Sequence, residues 1–244
     1  MARLLTICLI ALASLASIAA AEGLEKDTIH TTAGDVEITF VGHATVMLRW
    51  AGKTIDVDPW TRLPGFAGLP AADLVLVTHE HFDHFDTAAI ARVRTPSTVL
   101  LLTAKCAEQI SGGIVMKNGE VKKVLGMIVE AVPAYNLVHK RPDGAPFHAK
   151  GEGNGYILTI GRTRIYFAGD TENTPEMEAL KDINIAFLPM NLPYTMTPEM
   201  VAEAAKAFKP KVLYPYHYSQ TDPQKLVALL KDVKGIEVRV RTMH

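Results

Sequence analysis

The sequence predicts an α/β fold in which sheets carry helices on their outer faces, within one domain. Three observations lead there. Apolar runs of strand length recur along the chain. Hairpin turns cluster in the first half, whereas strand, helix and strand alternate in the second. Helices laid on the outer faces of sheets are the simplest way to bury such a set.

Val36–Phe40 alternates apolar and polar side chains, the period of a half-buried strand. Thr45–Trp50 and Thr54–Val57 follow, joined by Ala51-Gly52-Lys53, and read as a hairpin. Leu74–Val77 is continuously apolar, as in a strand buried on both faces. Thr98–Leu102 and Ile128–Val132 read the same way. A second hairpin spans Tyr156–Ile160 and Thr163–Phe167. Ile183–Leu188 and Lys211–Tyr214 are further buried strands, and Ile236–Val240 is placed to close a sheet. Helical periodicity marks Thr87–Val93, Ala104–Ile110, Pro175–Leu180, Pro198–Phe208 and Pro223–Val233. Three of these open on Thr-Pro or Asp-Pro, a capping residue followed by proline at the first helical position. Ala134–Gly155 is rich in Gly, Pro, Lys and His and has no periodicity. A loop of that length in a compact domain is usually functional or disordered.

Apolar residues are 48% of the 244, ample for a core, and the net charge is −1. Lys and Arg form no stripe, so nucleic acid is not the expected partner; a small-molecule substrate is. Residues 1–21 read as a signal peptide: Arg3, then an uncharged stretch ending Ala19-Ala20-Ala21 before Glu22. The expectation is an exported protein whose mature domain covers 22–244, with no membrane span after cleavage. An uncleaved anchor is the alternative. Cys8 lies in the signal, which leaves Cys106 as a lone cysteine best buried.

Chemistry concentrates in Thr78-His79-Glu80-His81-Phe82-Asp83-His84, directly after a buried strand and before a helix. Surface turns favour Asn, Asp, Gly and Ser, so clustered imidazoles there need another reason. Alternation after a strand puts His79 and His81 on one side. Asp83 and His84 come from the next bend and can face a second point, an arrangement suited to two divalent cations.

This His-x-His-x-Asp-His pattern resembles the defining motif of the metallo-β-lactamase superfamily, and the likeness extends over most of the chain after residue 21. It implies an αββα sandwich of two mixed sheets with helices outside. Asp58, in Asp56-Val57-Asp58-Pro59, is similar to the acid that supports the ligand histidines. Asp170, in Gly169-Asp170-Thr171, resembles the carboxylate that bridges both metals, and His217 the late histidine of the second. Gly42-His43-Ala44 resembles the branch of ascorbate-6-phosphate lactonases and N-acylphosphatidylethanolamine phospholipase D. There His43 would support the ligands or touch substrate; the plain reading is a histidine hydrogen-bonded beneath a loop.

One position departs from the pattern. Many relatives place a histidine where Asn136 follows Val132-Pro133-Ala134-Tyr135, and amide oxygen is a weaker ligand for zinc. Phe147-His148-Ala149-Lys150 resembles an element seen in part of the branch, so His148 is the expected replacement. His139, Asn136 itself or solvent are the alternatives. The resemblance implies two divalent ions, zinc foremost, with Mn or Fe also compatible with the donors. It also implies metal-assisted hydrolysis of a small ester, lactone or phosphodiester, with Asp83 orienting the water and carrying a proton. A non-catalytic metal- or ligand-binding protein and a true β-lactamase are the competing readings. Specificity is expected from the loops Thr61–Pro70, Ala134–Gly155 and Asn191–Thr197. Lys140, Arg141 and Lys150 could bind an anionic group of the substrate, although a solvated face is the plainer reading.

Overall fold

The computed structural model describes residues 23–243. The expected signal segment 1–21 lies outside them. Two seven-stranded sheets form, each from one continuous half of the sequence. The first comprises β1 (Lys26–Thr31), β2 (Gly34–Gly42), β3 (Thr45–Trp50), β4 (Lys53–Val57), β5 (Ala72–Leu76), β6 (Arg94–Leu102) and β7 (Ile114–Val115), in that order. The second comprises β8 (Val121–Val124), β9 (Met127–Ala134), β10 (Gly153–Ile160), β11 (Thr163–Phe167), β12 (Ile185–Pro189), β13 (Val212–Tyr216) and β14 (Glu237–Val238). In both, the first four strands pair antiparallel and the remaining three are added in parallel.

The period of two along β5 explains why both its faces are dry. Leu74 and Leu76 point into the core between the sheets, with Ile38, Ile55, Tyr156 and Phe167. Val75 and Val77 point outward, beneath Ile90 and Val93 of helix α1 (Thr87–Val93) and Cys106 of α2 (Ala104–Ala107). On the second sheet, α4 (Pro198–Phe208) and α5 (Pro223–Leu230) give Val201, Phe208, Leu226 and Leu230 to the same core. With α3 (Pro175–Glu178), the layers read helix, sheet, sheet, helix. This is the sandwich that the motif implied.

The proline-led helices start as expected. Thr174, Thr197 and Asp222 each accept a hydrogen bond from a first-turn amide. Three helices are shorter than their periodicity suggested. Beyond α2, α3 and α5, Gln109, Leu180 and Val233 donate to the carbonyl three residues back, so each helix tightens at its end. Strand β1 was not foreseen because Lys26-Asp27-Thr28-Ile29-His30-Thr31 is mostly polar; it is an edge strand, kept safe by its charges. Pro64–Gly68 forms a 3-10 turn that buries Phe66, and Leu69 follows it into the layer under α1. Thr61–Pro70 is thus occupied with packing. Among the described residues no helix is long and apolar enough to cross a membrane.

Candidate metal centre

The chemistry-bearing side chains lie at the C-terminal ends of strands from both sheets. His43 follows β2, Asp58 follows β4, and Thr78–His84 follows β5. Asp170 follows β11 and His217 follows β13, while the Tyr135–Glu152 loop joins β9 to β10. His43, Asp58 and His217 each hold a left-handed backbone, with φ of 52°, 44° and 46°. For residues with a Cβ this costs about 1–2 kcal/mol apiece, and such strain collects at functional sites. The His217 amide donates to the His43 carbonyl at 2.9 Å, which ties the two sheets together at the site.

Two groups of donors result. One ligand-type atom from each of His79, His81, His148 and Asp170 lies within 4.8 Å of the others. The same holds for His43, Asp83, His84 and His217. Asp170 spans both groups. Its Oδ1 is 3.3 Å from His84 Nε2 and 3.4 Å from His217 Nε2. Its Oδ2 is 3.3 Å from His148 Nε2 and 3.9 Å from His79 Nε2.

Buried partners hold the imidazoles from behind. Asp58 accepts the Thr78 amide and hydroxyl at 2.8 and 2.7 Å, and lies 2.8 Å from His84 Nδ1. His148 Nδ1 lies 2.7 Å from Asn136 Oδ1, which can only accept. In both rings Nδ1 therefore carries a proton, which leaves Nε2 as the nitrogen turned inward. His43 Nε2 lies 2.9 Å from Asp83 Oδ2.

Charge is balanced around burial. Burial holds His79 well below the usual imidazole range, helped by its imidazole neighbours, and depresses His81 likewise. Burial lowers His43 too, against the pull of Asp83. It opposes charge on His84, but the Asp170 and Asp58 carboxylates raise that ring well above its usual range. Burial also resists ionisation of Asp170 and Asp83, yet the surrounding histidines keep both carboxyls below theirs.

The residues fit a pair of divalent ions. Among the described residues, His84 Nε2, His217 Nε2 and Asp170 Oδ1 are buried without a hydrogen-bond partner, and the two nitrogens both face that oxygen. Buried polar atoms are otherwise nearly always paired. Imidazole and carboxylate donors turned to a common point are what zinc, manganese or iron would satisfy.

The sequence model of the beta-lactamase superfamily domain matches residues 37–217. The chain belongs to the beta-lactamase superfamily. A UPF0173 metal-dependent hydrolase of Thermococcus onnurineus is 31% identical over 214 residues, 81% of this chain and 93% of the relative. The crystal structure of a candidate metal-dependent hydrolase from Parabacteroides distasonis is 43% identical with a TM-score of 0.86, covering 91% of this chain and all of that one. A metallo hydrolase from Ignicoccus hospitalis shares the fold, with a TM-score of 0.70 at 24% identity over 86% of this chain and 96% of its own.

Within this superfamily chain, Asn136 stands behind His148 rather than beside His79 and His81. His139 turns away, with Nδ1 2.7 Å from Glu172 Oε1. Of the flanking cations, Lys150 pairs with Glu176 at 2.6 Å, while Arg141 lines the cleft above the centre. Two residues escaped the sequence reading. Thr78 links Asp58 to the His79 Nδ1 side, with its hydroxyl 3.0 Å from that nitrogen. Buried Glu172 accepts the amides of Leu137, Val138 and His139 at 2.6–2.7 Å and the Asn136 amide at 3.1 Å. Its only sequence signal was a second carboxylate two positions after Asp170. Of the three loops expected to set specificity, Ala134–Gly155 and Asn191–Thr197 line the cleft, whereas Thr61–Pro70 does not.

Proposed function

We propose that the two groups hold two divalent cations, zinc foremost, and that the protein hydrolyses a small ester, lactone or phosphodiester. The observation that carries this reading is the division of Asp170, one carboxylate oxygen to each group. Family membership supports the hydrolase class. Bound cations would lower the pKa of water toward neutrality and polarise the oxygen of the scissile group. The chain's own residues do the rest. Asp58 and Asn136 fix His84 and His148 with Nε2 inward. Asp83 lines both the second group and the cleft, so it can take a proton from the attacking water and pass it to the leaving group. His43 orients that carboxylate from 2.9 Å.

Elemental analysis of protein purified without added metal tests the reading. About two equivalents are expected, falling toward one in His148→Ala. Metal-loaded protein should turn over a generic phosphodiester or lactone, and His81→Ala or Asp83→Ala should abolish this. Stoichiometric metal without turnover on such a panel would favour a binding protein. No metal after reconstitution would sink the proposal.

A further inference from the structure

The cleft over the centre has a volume of about 430 Å³ and is lined by Phe82, Phe147, Tyr194, Asn191 and Arg141, besides the donors at its floor. Phe82 and Tyr194 expose 66% and 45% of their surface, large values for aromatic rings with no structural need to face water. Phe147 and Tyr194 meet edge to face at 5.0 Å. One wall is thus aromatic, and Arg141 is the one arginine or lysine among the described residues that line the cleft.

Arg141 is placed with care. Its loop is closed at the base by Asn136 and His148, whose main chains pair at 2.9 Å. Higher up, Lys140 bridges to Pro146, and the Arg141 amide donates to Ala145 at 2.7 Å. The guanidinium lies over the Phe147 ring, 5.3 Å from its centroid, and Nη2 donates to the Phe147 carbonyl at 3.2 Å. Among the described residues no carboxylate pairs with it. A guanidinium has five N–H donors, so most of its fork remains open. Stacking on a ring holds such a fork in a plane suited to bidentate recognition of an oxyanion.

The geometry points to a substrate that carries an anionic oxygen group at the end remote from the bond that is cleaved. The scissile group lies at the metal centre, an apolar body crosses Phe147 and Tyr194, and Arg141 holds the carboxylate or phosphate. This inference rests on the hydrolase reading above and narrows its substrate class. Arg141 is a specificity residue, since it touches the far end of the substrate and no reacting atom.

The test uses ligands that share one metal-directed head. Hydroxamates with chains of three to six methylenes are prepared with a terminal carboxylate, each matched to the neutral carboxamide. Both series are titrated calorimetrically into metal-loaded wild type and Arg141→Gln. At one chain length the carboxylate should bind wild type about tenfold tighter than its carboxamide, the scale of one charge-assisted contact. In Arg141→Gln the two should bind alike, with carboxamide affinity unchanged. Equal binding at every length in wild type, or a preference that survives in Arg141→Gln, would overturn the inference while leaving the hydrolase reading intact. Failure of every hydroxamate to bind would overturn both.

Discussion

His84 Nδ1 and a carboxylate oxygen of Asp58 lie 2.8 Å apart, and both side chains are wholly shielded from solvent. Asp58 spends its other acceptor capacity on Thr78, so one carboxylate fixes both a metal-directed ring and the turn that carries His79. Asp58→Asn leaves one acceptor oxygen for three donors. Metal affinity should fall about 10–100-fold and stability by about 1–3 kcal/mol. Competition with a chromophoric chelator measures the first and denaturant unfolding the second. Unchanged affinity would mean that the His84 ring needs no such support.

Asn136 gives a parallel case in the other group. Its Oδ1 accepts the His148 amide at 2.8 Å and faces the ring nitrogen. Asn136→Ala frees the ring to rotate or change tautomer. Metal titration should show one equivalent bound about 10–100-fold more weakly and the other unaffected. Equal weakening of both would show that Asn136 acts on the whole fold.

Glu172 holds the loop that carries both His148 and Arg141. Burial opposes its ionisation, but the amides of Val138, His139 and Leu137 and the Asn136 side chain win and hold it below its ordinary range. Its contribution is therefore present above the unfolded carboxyl pKa and lost as pH falls through the lowered folded value. Glu172→Gln sets an amide donor against backbone donors and should destabilise by about 2–3 kcal/mol. Hydrogen exchange at residues 137–139 should accelerate, while strand β5 should stay protected.

Asp56 behaves in the opposite sense. It lies within β4, fully buried, and among the described residues neither carboxyl oxygen has a partner. Burial pushes its pKa up to about 8. The folded state therefore keeps a proton that the unfolded chain has released, so stability falls as pH rises from about 4 to 8 at about 1.4 kcal/mol per unit. Asp56→Val should remove that slope and stabilise the protein by several kcal/mol near neutrality. Thermal unfolding from pH 5 to 8 checks it; parallel pH profiles for the two proteins would refute the assignment.

Much of this was legible beforehand, for physical reasons. Leu74–Val77 announced a strand dry on both faces because nothing polar interrupts it, and His79–His84 stood out because packing gives no use for three imidazoles in a turn. Ile236–Val240 was rightly expected to close a sheet, but two other edge strands were not legible. Lys26–Thr31 and Val121–Val124 bury too little to leave a pattern, and pairing with β2 and β9 alone defines them. Helix ends misled because apolar residues such as Ile110 and Leu180 continue the period into a tightened turn. Asn136 was read against its position in relatives, and its actual place depends on where a loop folds back 12 residues later. Glu172 was obscured for the same reason, and Arg141 could not be told apart from Lys140 and Lys150, since these roles exist only once that loop is closed.

The chain passes from one sheet to the other once, between Val115 and Val121. Each donor group nevertheless draws on both sheets, with His79 and His81 facing His148 and Asp170, and His43, Asp83 and His84 facing His217. Neither half of the polypeptide can assemble a complete centre alone. An ion held there would act as a rivet at the rim of two leaves that the shared core already joins. Its removal should loosen that rim before either leaf melts, and a chain nicked between residues 117 and 120 should reassemble more tightly with metal than without it.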